Sequence, residues 1–83
     1  MRSFVFTNKA KKRFEALPNP VQERIVNKLT EYKAVSKLPM RLLKDMNPAT
    51  HRLRIGVYRL ILKKQSATEF LVLDVGHRKD IYR

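Results

Sequence analysis

Residues 51–62 read HRLRIGVYRLIL, and this stretch decides how the rest of the chain can fold. Successive side chains of a β-strand point to opposite faces, so Leu53 and Ile55 share one face while Arg52 and Arg54 share the other. An ordinary core strand carries Val, Ile or Thr where this stretch carries arginine. The alternation therefore predicts a sheet with one apolar face and one charged face that is open to solvent.

The strands around this stretch can be placed from turn residues and apolar runs. Gly56 is the natural turn residue between a strand over residues 52–55 and an antiparallel partner over residues 57–62. After a polar turn, residues 69–75 provide a third strand, and residues 2–6, rich in Phe and Val, are available as a fourth. The pattern predicts a three-stranded meander to which the N-terminal strand can add.

Two helices are predicted between the first strand and the meander. Thr7 is suited to cap a helix over residues 8–17, and Asn19 to cap a second helix from residue 20 to about residue 34. Gln22 stands where a capping-box partner belongs. Apolar residues at helical spacing predict one buried stripe on each helix: Ala10, Phe14 and Leu17, then Val21, Ile25, Leu29 and Tyr32.

Between the helices and the meander, Pro39 and Pro48 interrupt any regular pattern. The apolar residues between them are expected to hold a connecting segment against the core: Leu42, Leu43 and Met46. The chain is thus predicted to be a single α+β domain over residues 1–83, in the order β-α-α-β-β-β. Its antiparallel sheet would carry the helical hairpin on one face and leave the other face to the arginines.

The charge of the chain points to an anionic partner. Its 83 residues carry 19 Lys and Arg against 7 Asp and Glu, a net charge of +12. The excess is spread over the whole chain, whereas solubility alone is served by a modest charge of mixed sign. Nucleic acid, an anionic surface or an acidic protein is the expected partner.

Several classes of function are disfavoured by composition. The chain has no cysteine, so disulfides and thiolate metal sites are excluded, and His51 and His77 are its only histidines. No carboxylates cluster with them in the sequence, so neither a metal nor another cofactor is predicted. The N-terminal apolar run is too short for a signal peptide, and no run reaches transmembrane length. We expect a cytoplasmic protein with no membrane partner.

The candidate site is a group of four guanidiniums and one aromatic ring. Arg52 and Arg54 share a strand face, and Arg59 lies just across the predicted turn. Arg78 follows the last strand, and Tyr82 comes four residues later, on the same side if this tail forms one helical turn. Such a group can clamp a phosphodiester, stack a base and stabilise the added negative charge of an RNA-cleavage transition state.

Each of these residues also has an ordinary structural interpretation. A single strand arginine is usually solvated or paired with a carboxylate, such as Asp74 or Asp80. Tyr82 alone is more typical of a core edge, and His77 of a turn. The basic residues of the first helix suit a solvated face, and they are also candidates for RNA binding together with His77: Lys9, Lys11, Lys12 and Arg13. In a small chain of this charge, the combination favours RNA binding.

Two stretches resemble the RelE/ParE superfamily of bacterial and archaeal type II toxins. They read R-x-R-x-G-x-Y-R over residues 52–59 and G-H-R-x-x-x-Y over residues 76–82. The early strand and the two helices agree with the same superfamily, so the resemblance covers nearly the whole chain. Members divide into ribosome-dependent mRNA endonucleases, the RelE branch, and gyrase poisons, the ParE branch.

For the RelE branch, which we favour, the resemblance implies cleavage of mRNA in the ribosomal A site by attack of the 2′-hydroxyl, without metal or cofactor. It implies that Arg52 and Arg54 contact the scissile region and that Arg59 stabilises phosphate charge. Arg78 would stabilise the transition state or protonate the leaving group, and Tyr82 would stack on the substrate base. It also implies an acidic, RelB-like antitoxin as partner, besides the ribosome and mRNA.

One departure from the resemblance bears on the chemistry. The best-known cleaving members carry lysines where this chain has Arg52 and Arg54, and arginine makes a poor general base. His77 is the remaining candidate for acid–base work. Two rival hypotheses therefore stay open: a ParE-like gyrase inhibitor, and a non-catalytic RNA-binding protein of the same fold.

Overall fold

The computed structural model describes residues 1–81, which form an α+β fold of two helices and a five-stranded sheet. The elements follow one another as β1 (Ser3–Phe6), α1 (Asn8–Glu15), α2 (Asn19–Tyr32), β2 (Met40–Leu42), β3 (His51–Ile55), β4 (Tyr58–Lys64) and β5 (Glu69–His77). The strand order in the sheet is β1-β5-β4-β3-β2. The predicted fold class is confirmed, and the meander lies at the centre of the sheet.

The hairpin of β3 and β4 forms around Gly56, as predicted. Ile55 pairs with Tyr58, so only Gly56 and Val57 lie between the paired strands. Gly56 has a φ of 60°, a conformation that costs glycine little and strains other residues. A two-residue turn with glycine first matches the twist of the two strands and fixes their register.

The sheet is mixed, which differs from the wholly antiparallel sheet expected from the sequence. β1 pairs with β5 in parallel, from Ser3 opposite Glu69 to Phe6 opposite Val72. Parallel neighbours require a crossover connection, and here the chain between β1 and β5 passes through both helices and the rest of the sheet. The sequence offered β1 as an extra strand but carried no signal of its direction.

A second difference lies in the segment between the helices and the meander, where Met40–Leu42 forms the edge strand β2. The expectation that Leu42, Leu43 and Met46 pack on the core was wrong for two of the three, since Leu42 is 70% exposed and Met46 is 43% exposed. Leu38 and Met40 pack against the core instead. The reason is register: Met40 stands opposite Leu53 and therefore shares its apolar face.

One apolar core joins the helices to the sheet. Its largest fully buried side chains come from α2 and the three meander strands: Ile25, Leu53, Leu60, Leu62, Val72 and Val75. Phe6 meets Phe14 of α1 edge to face, with ring centroids 5.4 Å apart. The predicted stripes of both helices face this core, because Ala10, Ile25 and Leu29 are buried in it.

Side-chain hydrogen bonds hold both ends of α1. Thr7 caps α1 as predicted, its hydroxyl accepting a hydrogen bond from the Ala10 amide at 3.1 Å. Gln22 has a different role from the predicted one: its amide donates to the carbonyls of Glu15 (3.1 Å) and Leu17 (2.8 Å), which end α1. Neither helix in residues 1–81 is long and apolar enough to cross a membrane.

The two-faced sheet predicts unequal costs for two leucine truncations on neighbouring strands. Leu53→Ala should lower the free energy of unfolding by about 2–5 kcal/mol, because it leaves a cavity in a fully buried site. Leu42→Ala should change it by about 0.5 kcal/mol or less, because that side chain is already in solvent. Urea denaturation of both variants measures the difference, and equal losses would contradict the assignment of faces.

Candidate nucleic-acid interface

Four arginines line one cleft of about 310 Å³ on the sheet. They come from the three strands β2, β3 and β4, and the preceding segment forms the rest of the wall: Leu38, Pro39, Met40, Arg41, Arg52, Arg54 and Arg59. Within residues 1–81, no acidic residue lines the cleft. Five residues were predicted to be catalytic. The cleft brings three of them together: Arg52, Arg54 and Arg59.

Strand register explains why the guanidiniums converge. Arg54 stands directly opposite Arg59, and Arg41 stands directly opposite Arg52. Directly opposite residues of an antiparallel pair project from the same face, with Cβ atoms about 4.5–5.5 Å apart. The intervening Leu53 is buried on the other face. The arginines thus form two adjacent rows on the face away from the core.

Arg59 has the most constrained position of the four. Its Nη1 donates to the carbonyls of Gly56 and Tyr58, both at the long distance of 3.4 Å. Its Nε is buried and has no hydrogen-bond partner within residues 1–81. A buried donor without a partner costs free energy that an incoming acceptor can recover. An anion entering the cleft is an acceptor of this kind.

Arg41 is a lining residue that the sequence reasoning missed. It lies on β2, which has only three residues and follows Pro39. The usable signal was the alternation of Met40, Arg41 and Leu42, which repeats the apolar and basic alternation of β3. Three residues are too few for such a pattern to identify a strand without its partner.

The predicted tail residues lie outside the cleft or outside the described part of the chain. Arg78 is exposed, and its amide donates to the Val57 carbonyl at 2.8 Å, next to the β3–β4 turn. The Ile81 amide donates to the His77 carbonyl at 3.0 Å, which closes one turn after β5. Tyr82, the predicted stacking residue, lies beyond the described residues 1–81.

His77 belongs to the opposite face of the sheet from Arg59. It pairs with Tyr58, and their rings meet edge to face with centroids 5.6 Å apart. Its Nδ1 accepts a hydrogen bond from the Lys79 amide at 3.1 Å. Because its neighbour Gly76 is the residue that stands opposite Arg59, the His77 side chain is directed away from the arginine rows.

The four basic residues of α1 do not form one continuous patch. Lys9 and Arg13 both face Asp74 of β5, with nitrogen–oxygen distances of 3.8 and 3.2 Å. Lys11 borders an apolar groove between the helices, and Lys12 is exposed. Asp74 therefore pairs with two residues of α1.

Acid–base groups are scarce around the cleft. Among the described residues, those that line it include no histidine, lysine or carboxylate. His51, at the start of β3, contacts the Phe70 ring and shares a 2.8 Å hydrogen bond with the Thr50 hydroxyl. Burial, with a smaller contribution from Lys64, lowers the pKa of His51 from its usual 6.5. Residues 1–81 contain no group of three His, Asp or Glu side chains placed to hold a metal ion.

Comparison with known families gives one match over most of the chain. The family model described as the ParE toxin of the type II toxin–antitoxin system parDE matches residues 4–82. No curated protein matches the sequence.

Several solved structures with the same fold come from toxin–antitoxin complexes. The RelBE2 complex of Mycobacterium tuberculosis matches with a TM-score of 0.73 and 22% identity, over 93% of this chain and 98% of that chain. The RelB–RelE complex of Methanococcus jannaschii matches with a TM-score of 0.67 and 22% identity, over 94% of both chains. The intact RelBE complex of E. coli matches with a TM-score of 0.66 and 22% identity, over 93% of this chain and 96% of that chain. At these identities the likeness shows a shared fold.

The facing arginines predict that part of the site destabilises the empty protein. Like charges directly opposite each other on a sheet repel, so Arg54→Gln should raise the thermal unfolding midpoint at low ionic strength. The gain should shrink as salt screens the repulsion. Lys33→Gln, which removes the same charge at the end of α2, is the matched control and should produce a smaller gain. An Arg54→Gln variant less stable than the wild type at low salt would contradict this account.

Proposed function

The chain belongs to the ParE toxin family of type II toxin–antitoxin systems, and we propose that it acts as a ribosome-dependent mRNA endonuclease. The observation that carries this proposal is the cleft of four guanidiniums, into whose lining residues 1–81 contribute no carboxylate. Arginine presents a planar fork of donors that matches the oxygens of a phosphodiester. A site of this kind suits an RNA backbone, whose negative charge increases during cleavage.

The proposed reaction is an internal phosphoryl transfer. The 2′-oxygen attacks the adjacent phosphorus, the bond from phosphorus to the 5′-oxygen breaks, and the products are a 2′,3′-cyclic phosphate and a free 5′-hydroxyl. Arg59 would donate its unpaired Nε–H to a nonbridging oxygen as charge builds there. Arg52 and Arg54 would hold the neighbouring phosphate and so align the attacking oxygen.

Proton transfer in this scheme does not depend on the cleft arginines. Guanidiniums keep their protons at neutral pH, so the 2′-hydroxyl proton would pass to water or to a ribosomal group. The 5′-oxygen would gain a proton from solvent or from Arg78, the role that the RelE resemblance gives this residue. Tyr82 would stack on the substrate base. Rate acceleration would then rest on orientation and charge stabilisation.

Inhibition of DNA gyrase is the second candidate function. The matching family model is that of ParE toxins, and the cleft lining holds no group suited to act as a general base. In that case the arginines would contact a protein or DNA surface, and Arg59 would not be needed for chemistry.

The proposed partner that restrains the toxin is an acidic, RelB-like antitoxin. The similar solved structures are complexes of RelE with RelB, and a chain of net charge +12 would attract an acidic partner. An antitoxin segment that covers the cleft would neutralise the arginine rows and exclude RNA. Both partners would act in the cytoplasm, where the ribosome is.

Primer extension on mRNA in programmed ribosomes tests the proposed activity. The wild-type protein should produce cuts inside the A-site codon, and Arg59→Ala should reduce their rate by at least about 100-fold, as loss of a transition-state donor does elsewhere. Lys33→Ala serves as the control with the same loss of charge, and it should cut like the wild type.

A gyrase supercoiling assay run on the same three proteins separates the two candidates. Intact mRNA at full ribosome occupancy, together with inhibition of gyrase that survives Arg59→Ala, would replace the nuclease proposal with the gyrase one. Cleavage that Arg59→Ala leaves at the wild-type rate would remove Arg59 from the proposed chemistry.

A further inference from the structure

A fifth guanidinium reaches the sheet from α1, at the edge where β1 ends. β1 pairs with β5 only as far as Phe6 opposite Val72. Within residues 1–81, no strand pairs with the rest of β5 on that side, and α1 packs along this stretch instead. Arg13 extends from α1 to β5, where its Nη1 lies 3.2 Å from an oxygen of Asp74.

Gly76 makes room for the Arg13 side chain. A Cβ atom at this position would lie 3.1 Å from Arg13 Nη2, tighter than nine in ten contacts of its kind, so the guanidinium would have to shift. Gly76 stands opposite Arg59, which in turn stands opposite Arg54. The Arg13 guanidinium therefore occupies the place on β5 that continues the row of arginines on β3 and β4.

Asp74 holds the Arg13 side chain in place and occupies only one of its terminal nitrogens. The carboxylate accepts from Arg13 through one oxygen and from the Val75 amide through the other, at 2.9 Å. The Asp74 side chain is 16% exposed, whereas that of Arg13 is 40% exposed. Arg13 donates to Asp74 through Nη1. Its Nη2 lies on the Gly76 side, where it can donate a hydrogen bond to an anion.

Together these arginines form a band that crosses the sheet from β2 to β5. Three strand spacings of about 4.8 Å give a length of about 14 Å between its outer members. This length exceeds the axial step of a stacked nucleotide, about 3.4 Å, several times over. A single mononucleotide cannot contact both ends of such a band.

We propose that Arg13 extends the arginine cleft into a track for single-stranded RNA of several nucleotides, with Arg13 binding a phosphate beyond those held by Arg54 and Arg59. Asp74 is the positioning residue of this track, and Gly76 leaves the space that Arg13 requires. The proposal rests on RNA as the substrate class of the proposed function, but it concerns binding and does not require cleavage.

Fluorescence anisotropy with labelled 2′-O-methyl RNAs, which cannot be cut by 2′-hydroxyl attack, tests the track without ribosomes. Arg13→Gln should weaken binding of an eight-nucleotide RNA by about three- to tenfold, as expected for loss of one charged contact. It should weaken binding of a dinucleotide no more than the loss of one remote positive charge does. The slope of log K against log salt for the longer RNA should decrease by about 0.7, the value for one phosphate contact on a single strand.

Three further variants distinguish the loss of a direct Arg13–phosphate contact from the loss of one positive charge. Lys33→Gln removes the same charge. It should weaken binding of both RNAs slightly and by the same factor. The double variant Arg13→Gln with Asp74→Asn keeps the net charge of the wild type and should still lose affinity for the longer RNA. Gly76→Ala changes no charge but displaces the Arg13 guanidinium, and it should show the same length-dependent loss. Thermal unfolding establishes that each variant is folded.

The proposal is overturned if Arg13→Gln behaves like Lys33→Gln, or if it weakens the dinucleotide and the longer RNA by the same factor. It is also overturned if the double variant binds the longer RNA like the wild type, because the effect would then come from the charge of Asp74. A length-dependent loss in a protein that fails to cut mRNA on ribosomes would support the track while removing the nuclease activity.

Discussion

Arg54 on β3 and Arg59 on β4 stand directly opposite each other on neighbouring strands. The sheet can form only if other interactions outweigh the repulsion between these two charges. The opposite face of the same strands makes this possible. Leu53 and Leu60, also directly opposite each other, are completely buried beneath the helical hairpin. Burial of such side chains contributes about 1.5–3 kcal/mol each, more than a pair of exposed like charges costs. Burial of the apolar face thus keeps β3 and β4 in the register that places the two arginines opposite each other.

This arrangement connects stability to function. A cleft with four positive charges is most favourable when an anion fills it, so RNA and an acidic antitoxin would compete for the same arginines. The same competition would keep a chain of net charge +12 from binding RNA indiscriminately while its antitoxin is present. In this account, the difference between the inhibited and the active toxin is which polyanion covers the sheet.

The sequence predicted those parts of the fold and site that follow from local patterns. Alternation placed Arg52 and Arg54 on one face, and the turn at Gly56 placed Arg59 on the neighbouring strand. Helical spacing placed Ile25 and Leu29 in the core. It did not predict contacts set by distant pairing. Arg41 joins the cleft only because β2 pairs with β3. Asp74 pairs with Arg13, 61 residues away in the chain, and no local pattern distinguishes that partner from a strand arginine.

The most direct test of the central claim is a structure of this protein on a ribosome whose A-site codon carries 2′-O-methyl groups, so that the mRNA cannot be cut. We expect an mRNA phosphate within hydrogen-bonding distance of Arg59 Nε, about 3 Å, with the backbone running across the arginine rows. An mRNA that keeps its ordinary path, with the cleft facing solvent or ribosomal protein, would contradict the claim that this surface is built to act on RNA.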